Sequence, residues 1–376
     1  MSNTKTASCG TCLHLKNDTC SLRNELIELP NLTTCGNWND IVLIPTGTLF
    51  SLVNEVRGSA ITPHFIPYYS GSRIDTYTGD GLTDTFLGLK NVDETVLVFD
   101  DEEEYLIFYE KEKEKKKSFI LGAIIGDCIG SVFEFHNLKS TDFHLFDKKT
   151  TFSDDSVLTL ASMHSILNGT SYTTAYQTFG RNYPNRGYGG NFLYWIYLDN
   201  PAPYLSFGNG AAMRVSPVGW AYDNLDKVLV EAERSAKVSH NHPEGIRGAQ
   251  ATASAVFLAR TGKNKAEIKE FIEEFFGYDL NRTIESIRPG YSFDVTCQGS
   301  VPEAIIAFLE STDFESTIRL AISLGGDSDT IACIAGSIAE AYYKEIPEFI
   351  IENTLKLLPQ ELIALVQEFS NKYRKE

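Results

Sequence analysis

Two short stretches of the chain combine paired aspartates with a hydroxyl at the start of an apolar, helix-like segment. They are TFSDDS at residues 151–156 and LGGDSDT at residues 324–330. Adjacent carboxylates repel one another unless a cation or a proton lies between them, and hard divalent cations bind through oxygen ligands of this kind. Helix capping is the simpler alternative, but a cap needs only one Asp, Ser or Thr at each start. The two stretches together favour a single site that holds one or two Mg2+ or Mn2+ ions.

The segments that must position these carboxylates show helical periodicity. After the second stretch, apolar residues recur at Ile331, Ile334, Ile338 and Tyr342, which predicts a buried helix. The segment FILGAIIGDCIGSVFEF at residues 119–135 repeats small residues at helical spacing, which indicates close packing against another helix or a ligand.

Two acidic residues of that segment, Asp127 and Glu134, are seven positions apart, so a continuous helix would place them on one face. A carboxylate among apolar residues is costly unless it is paired, hydrogen-bonded or bound to a metal. For Asp127 we favour a buried, hydrogen-bonded structural role.

Two motifs in the middle of the chain suit ligand contacts. Gly208-Asn209-Gly210 precedes a helix-like segment, and a loop with free N–H groups at that position suits a phosphate, although an ordinary tight turn has the same pattern. His240 and His242 are two apart in a turn before an Ala-rich helix, which is not the spacing of a helical zinc site. We therefore expect capping or ligand contacts from these histidines.

Composition restricts the function classes. The chain has 376 residues, 43% of them hydrophobic, and a formal net charge of −17, which argues against non-specific binding to nucleic acid or to anionic membranes. No apolar run approaches the length of a membrane span, and the first twenty residues are polar. We expect neither a membrane span nor a signal peptide, and a cytoplasmic location.

The seven cysteines fall into two groups. Cys128, Cys297 and Cys333 lie in apolar segments and are expected to be core thiols. The other four have the spacing C-x2-C-x7-C-x14-C near the N-terminus, which favours one structural Zn2+ bound by four thiolates; an iron-sulfur cluster, scattered cysteines or one disulfide are the alternatives. The predicted zinc ligands are Cys9, Cys12, Cys20 and Cys35.

Changes in composition and in residue pattern divide the chain into four parts. Residues 1–38 form the four-cysteine segment, and residues 39–109 contain short β-type runs between Gly and Asp turns, which predicts a small β-rich domain. Residues 110–117 are a run of Glu and Lys that we interpret as a charged linker. Residues 118–376 have many helical patterns and little β signal. The predicted fold class is mainly α, with an all-α domain that follows a Cys-rich and β-rich module.

Five motifs in residues 118–376 resemble those of the ADP-ribosylglycohydrolase family, typified by the dinitrogenase reductase-activating glycohydrolases. They are, in order, GAIIGDCIGSVFEF, TFSDDSV, GNGAAMRVSPVG, SHNHPEGIRGA and SLGGDSDTIACIAGSIAEAYY. The resemblance implies an all-α fold with a binuclear magnesium or manganese centre, and removal of ADP-ribose from an acceptor by cleavage at the ribose anomeric carbon. Residues 1–117 lie outside it.

The resemblance also implies roles for individual residues. The implied metal ligands are Ser153, Asp154, Asp155, Asp327, Asp329 and Thr330. The implied substrate-binding residues are Gly208, Asn209, Gly210, Met213 and His240. Ser153 stands where the family usually has Thr, which keeps the hydroxyl. Asp155 and Glu134 are the two candidates for the catalytic proton acceptor, and the sequence does not choose between them.

Three functional hypotheses follow. The first is a hydrolase that acts on an ADP-ribosylated protein side chain, nucleic-acid base or small molecule and releases ADP-ribose. The second is a non-catalytic ADP-ribose-binding protein, and the third is an immunity protein that binds an ADP-ribosylating toxin, with residues 1–117 as the docking region for that partner protein. Oxygen side chains at all six implied ligand positions favour the enzyme.

Overall fold

The structure, a computed structural model, describes residues 42–45, 86–90, 95–99 and 119–374. The chain divides into two units, Met1–Lys115 and Lys116–Glu376. In the first unit, strands β1 (Val42–Pro45), β2 (Phe86–Lys90) and β3 (Thr95–Phe99) pair antiparallel in that order, with Val42 opposite Leu89 and Phe86 opposite Phe99. The predicted zinc site and the charged linker lie outside the described residues, so both stay predictions.

The second unit is helical, as the sequence predicts. Fifteen helices cover most of residues 119–374, and the only β-type pairing in that range is a single bridge between Gly208 and Thr296. The helices are α1 (Gly122–Gly130), α2 (Asp154–Asn168), α3 (Tyr172–Asn182), α4 (Gly190–Ile196), α5 (Gly210–Met213), α6 (Ser216–Ala221), α7 (Leu225–Lys237), α8 (Pro243–Arg260), α9 (Lys265–Phe276), α10 (Ile284–Ile287), α11 (Cys297–Glu310), α12 (Phe314–Ser323), α13 (Ser328–Tyr343), α14 (Glu348–Leu355) and α15 (Gln360–Tyr373). Among the described residues, no helix is long and apolar enough to cross a membrane.

Helix α13 lies at the centre of this unit. Every residue from Ser328 to Ala341 is buried, and α1, α8, α11 and α12 pack around it. A helix that is apolar on all sides is stable only when neighbours cover all of its faces. The buried helix predicted after the second aspartate stretch is therefore confirmed. The three cysteines predicted as core thiols are also buried and free.

Helices α1 and α13 approach each other with no room for side chains on one face of α1. A Cβ atom at Gly126 would lie 2.0 Å from the carbonyl oxygen of Ala332. At Gly122 and Gly130, one turn before and after, a Cβ would lie 2.3 Å from Gly336 O and 2.4 Å from Asp329 Cα. The small residues of α1 therefore set the distance between the two helices, as their spacing indicates. Through Gly130, this packing also sets the position of the Asp329 backbone.

The first turn of α1 is held by a buried carboxylate of α13. Glu340 accepts hydrogen bonds from the backbone N–H groups of Leu121 (3.0 Å) and Gly122 (2.6 Å), two groups at the helix start that have no partner inside α1. The Arg374 guanidinium, which follows α15, pairs with Glu340 at 2.8 Å. The C-terminal helix is thus tied to the contact between α1 and α13.

Arg374→Ala is expected to lower the free energy of unfolding by about 2–4 kcal/mol, because it leaves the buried Glu340 carboxylate without its cation. Chemical denaturation with an unchanged m-value would measure this loss. Lys372→Ala on the exposed face of α15 is the matched control and is expected to change stability by less than about 0.5 kcal/mol. Equal stability of the two variants would contradict the role given to the Glu340–Arg374 pair.

Candidate active site

The first aspartate stretch is fixed at the start of α2 by Asp127 of α1. Asp127 is fully buried and accepts from Ser153 N (2.9 Å), Ser153 Oγ (2.6 Å), Ser156 N (3.1 Å) and Ser156 Oγ. Ser153 is the N-cap, and its Oγ also accepts from the backbone N–H of Asp155 at 3.2 Å. The favoured structural role of Asp127 agrees with these four bonds. They fix the first turn of α2, which carries Asp154 and Asp155.

The second stretch follows a turn that only glycines adopt easily. Gly325 and Gly326 have φ angles of +70° and +76°, in the left-handed region where a Cβ is unfavourable. The side chain of Asn137 accepts from Gly326 N (2.6 Å), and Lys139 Nζ donates to the carbonyl oxygens of Tyr291 (2.7 Å) and Leu324. The segment between α1 and α2 therefore holds this turn and delivers Asp327 to the start of α13.

The two helix starts bring together the carboxylates of Asp155, Asp327 and Asp329, whereas Asp154 lines the cavity and belongs to neither of the following triplets. Oxygen atoms of Asp127, Asp155 and Asp329 lie within 4.8 Å of one another, and the same is true of Glu134, Asp327 and Asp329. Asp329 belongs to both triplets and is only 3% exposed. Thr330 Oγ1 donates to Asp155 Oδ2 at 3.3 Å and so bridges the two helix starts. The described residues thus form one acidic cluster from two distant parts of the sequence.

Burial and mutual repulsion shift the pKa values of these acids upward. Burial, followed by the charges of Asp127 and Asp154, raises the pKa of Asp155 well above its usual value. Burial, together with Asp155 and Asp327, does the same to the pKa of Asp329. The pKa of Glu134 rises to about 7, mainly through burial and then through the charges of Asp327 and Asp127. Carboxylates in this arrangement keep their charge only with cations among them.

The side chains of the acidic cluster suit hard divalent cations as ligands. All of the atoms that they could offer to a metal are oxygens, which such ions prefer. Asp155 Oδ1 is buried and has no hydrogen-bond partner among the described residues, whereas both carboxylate oxygens of Asp127 accept hydrogen bonds. A buried carboxylate oxygen without a partner is unfavourable unless a ligand satisfies it. Ser153 Oγ keeps one lone pair, because its proton goes to Asp127 and another lone pair accepts from Asp155 N.

The glycine-rich loop at residues 208–210 lies beside the acidic cluster. Asn209 donates from Nδ2 to Asp327 Oδ2 (2.6 Å) and to Ser300 Oγ (3.0 Å), so its side chain orients a carboxylate. Of the three loop amides, Gly208 N bonds to Ser206 Oγ and Asn209 N to Val295 O, which leaves only Gly210 N without a hydrogen bond among the described residues. The sequence suggests several free N–H groups in this loop, but within the described residues only that of Gly210 is free. The other two donate hydrogen bonds to Ser206 and Val295.

The two histidines have separate positions. His242 is the N-cap of α8 and accepts from Glu244 N at 3.1 Å, so the expectation of a capping histidine is confirmed for it. His240 is 5% exposed, and its Nδ1 lies 2.8 Å from Ser239 Oγ. Burial and then the charge of Arg214 lower the pKa of His240 well below its usual value. Both effects favour the neutral form of the His240 imidazole in the wall of the site.

A cavity of about 420 Å³ opens above the acidic cluster. The acids, the glycine loop, Met213 and His240 form one part of its wall, and the second Gly-rich segment contributes Gly187, Gly189 and Gly190. Its rim carries two exposed aromatic rings, Phe135 and Phe293, whose centres are 6.1 Å apart. The sequence gives no sign of Phe293, Tyr204 or Arg214 as wall residues, since tertiary packing alone brings them there.

Glu134 reaches the site from outside a helix, and the expectation that it shares a helical face with Asp127 is wrong. Helix α1 ends at Gly130, and residues 131–134 form turns. The hydroxyl of Ser131 donates to Cys128 O at 2.8 Å and competes with the continuing helix. The turns bring the Glu134 carboxylate to the triplet with Asp327 and Asp329.

Known proteins are similar to this chain in sequence and in fold. A sequence model of the family described as ADP-ribosylglycohydrolase matches residues 110–376. The ADP-ribosylhydrolase ARH3 of Mus musculus is 29% identical over 314 residues, covering 61% of this chain and 84% of its own length. The Homo sapiens ARH3 is 29% identical over 313 residues, covering 61% and 86%. A solved structure titled "ADP-ribosylglycohydrolase-related protein complex" aligns with a TM-score of 0.54 and 26% identity, covering 70% of this chain and 99% of that one.

Proposed function

The chain belongs to the ADP-ribosylglycohydrolase family, whose members are hydrolases acting on glycosyl bonds, and from this premise we propose that it is a metal-dependent ADP-ribosyl-acceptor hydrolase. The proposed reaction cleaves the bond between the anomeric carbon of the ADP-ribose moiety and its acceptor, and it releases ADP-ribose. The similarity to the ARH3 proteins supports ADP-ribosyl hydrolase activity. An ADP-ribosylated molecule is accordingly the expected substrate.

One observation carries the proposal beyond family membership. Asp155, Asp327 and Asp329, from two helix starts far apart in the sequence, belong to one acidic cluster beneath a cavity, and Asp155 Oδ1 has no partner there among the described residues. A protein that only bound the nucleotide would have no need for so many repelling carboxylates. The cluster supports a catalytic role rather than binding alone.

We assign Ser153, Asp154, Asp155, Asp327, Asp329 and Thr330 as the residues that would hold two divalent cations, Mg2+ or Mn2+. Bound at this cluster, such ions would supply Lewis-acid chemistry and would orient ribose hydroxyls. Asn209 keeps the Asp327 carboxylate in place, and Ser153 fixes the first turn of α2. The chain itself therefore preorganises the donors.

The remaining cavity residues would bind and orient the substrate. The free N–H of Gly210 suits an anionic oxygen of the diphosphate. Gly208, Met213 and His240 line the same side of the cavity, and the narrow space at Gly210, where a Cβ would lie 3.2 Å from His240 Nε2, excludes side chains there. This arrangement would direct the anomeric carbon towards the acids.

Glu134 is our choice for the proton acceptor. Unlike Asp155, it is half-buried and makes no hydrogen bond with the described residues, so its carboxylate is free to meet a water molecule at the cavity wall. The Glu134 carboxylate would take a proton from the water that attacks the oxocarbenium-like anomeric carbon, and the acceptor takes up a proton as its bond to that carbon breaks, so that one water is consumed and ADP-ribose and the free acceptor are formed. Asp155 would then serve as a ligand and not as the base.

Glu134→Gln is expected to lower kcat by about 10²–10⁴-fold and to change the affinity for ADP-ribose only a few-fold, because the amide keeps the shape but cannot accept the proton. Steady-state kinetics and calorimetric titration with ADP-ribose would separate the two effects. Glu270→Gln, on the exposed face of α9, is the matched control with wild-type values expected. A normal kcat in Glu134→Gln would transfer the role of base to Asp155.

The proposed activity is tested by incubating the protein, with Mg2+ and separately with Mn2+, with substrates that carry ADP-ribose on arginine, on serine, on a nucleobase or on a small molecule. Free ADP-ribose is measured by mass spectrometry. Release from at least one acceptor is the expected result, and it also identifies the acceptor class. No release from any acceptor in the presence of either metal would contradict the proposal.

A further inference from the structure

One arginine of the cavity wall is fully buried. Arg214 has no exposed surface, and its guanidinium carbon lies 4.2 Å from the ring centre of Tyr176 and 5.4 Å from that of Phe192. No carboxylate between residues 119 and 374 pairs with it, and its Nε and Nη1 atoms have no hydrogen bond there. A buried cation without a carboxylate partner is costly, and packing against the two rings offsets part of that cost.

The Nη2 atom of Arg214 is its one hydrogen-bonded nitrogen within residues 119–374, and it begins a chain of hydrogen bonds that ends at the cavity. Nη2 donates to Ser239 Oγ at 2.9 Å and to the carbonyl oxygen of Ser235 at 3.2 Å. Ser239 Oγ lies 2.8 Å from His240 Nδ1, and Ser239 is completely buried. The side chains of Arg214, Ser239 and His240 therefore form a continuous relay.

The direction of this relay follows from the chemistry of its first member. A guanidinium only donates, so Ser239 Oγ is an acceptor towards Arg214. The Ser239 hydroxyl proton then has one acceptor among the described residues, His240 Nδ1. If Nδ1 itself carried a proton, the hydroxyl would accept twice and its own buried proton would remain unpaired, which is unfavourable. The satisfied arrangement places the imidazole proton on Nε2.

We propose that Arg214 and Ser239 are positioning residues that hold His240 as a neutral imidazole with its proton on Nε2, from which it donates a hydrogen bond to an oxygen of the diphosphate-ribose portion of the ligand. The identity of the ligand rests on the proposed function; the state of His240 does not. The glycine loop faces this nitrogen, since ideal Cβ atoms on Gly208 and Gly210 would lie 3.5 and 3.2 Å from Nε2. A ligand bound on that loop is within reach of the Nε2 proton.

The electrostatic environment agrees with this geometry. The Arg214 cation lies on the inner side of His240, and with burial it lowers the pKa of the imidazole. A second positive charge on His240 is therefore disfavoured. Arg214 thus gives the site a permanent positive charge behind a neutral donor, which suits an anionic diphosphate in a protein of strongly negative net charge.

The tautomer is measured directly by nitrogen NMR of the full chain labelled with ¹⁵N at its seven histidines. The His240 signals are assigned by comparison with His240→Gln. We expect the Nε2-protonated pattern in the wild type near neutral pH and its loss in Ser239→Ala. Ser235→Ala is the matched control, because it removes a buried hydroxyl that bonds to Tyr176 and leaves the carbonyl contact with Arg214. We expect the wild-type tautomer in this control.

Calorimetric titration with ADP-ribose gives the second readout. Ser239→Ala and His240→Ala are expected to weaken binding by about 3- to 10-fold, the effect of one hydrogen bond, and Ser235→Ala by less than about twofold. His240→Gln should bind within about threefold of the wild type, since an amide N–H can replace Nε2–H.

Three results would overturn the proposal: an Nδ1-protonated or doubly protonated His240 in the wild type, a wild-type tautomer in Ser239→Ala, or equally weak binding by His240→Gln and His240→Ala. Failure of the wild type to bind ADP-ribose would instead contradict the proposed function. The NMR result would still test whether Arg214 and Ser239 set the tautomer of His240.

Discussion

Asp329→Asn is expected to lower the rate of ADP-ribose release by at least about a thousandfold, because a metal ligand contributes several kcal/mol of transition-state stabilisation. Asp329 is the residue that both carboxylate triplets share, so its loss affects the whole cluster. The protein is expected to stay folded: Asn keeps the acceptor for Thr330 N (3.0 Å) and removes one of the repelling charges.

The same variant separates metal binding from folding. Mg2+ or Mn2+ at about 100 times its dissociation constant would stabilise the wild type by about 2.7 kcal/mol, which raises its melting temperature, and this rise should be absent in Asp329→Asn. Asp313→Asn is the matched control: Asp313 caps α12 away from the cavity, and Asn is an equally good cap. A metal-induced rise of equal size in Asp329→Asn would contradict the ligand assignment.

Gly126→Ala is expected to lower the free energy of unfolding by about 3 kcal/mol or more, because the new methyl group has no space between α1 and α13. Its Cβ would lie 2.0 Å from Ala332 O and 2.6 Å from Cys333 N, both of them backbone atoms that move only with the helix. Separation of the two helices would also displace Asp127 from the start of α2. The free energy of unfolding, measured by chemical denaturation, and the rate of ADP-ribose release should therefore both fall.

The control for this substitution is Gly290→Ala. Gly290 lies in a turn where a Cβ would meet no atom within 4 Å, and its φ angle is not positive. We expect a change in stability of less than about 0.5 kcal/mol there. Equal effects of the two alanines would mean that the contact between α1 and α13 is looser than the structure has it.

The fold and the cluster differ in how far the sequence predicts them. The 3.6-residue periodicity after Thr330 and the small residues of α1 are local patterns, so both helices and their close contact follow from the sequence. The sharing of Asp329 between two triplets depends on the crossing of α1, α2 and α13, which no local pattern encodes. The role of Asn209 as the partner of Asp327 is a tertiary contact of the same kind.

Two other features are beyond sequence reasoning for physical reasons. The end of α1 at Gly130 is decided by packing against Asp329 and by the Ser131 hydroxyl, which outweigh the apolar pattern that continues to Phe135. The buried charge of Arg214 is acceptable only because Tyr176 and Phe192, from two other helices, enclose the guanidinium. An arginine in an apolar motif gives no sign of that environment.

The most direct test of metal-dependent hydrolysis is to strip the protein with EDTA, dialyse it and measure ADP-ribose release from whichever substrate of the proposed panel the untreated protein cleaves. We predict that release falls to the level of Asp329→Asn and returns when Mg2+ or Mn2+ is added. Undiminished release by the stripped protein, with the absence of metal verified by elemental analysis, would contradict the assignment of the acidic cluster as a catalytic metal centre.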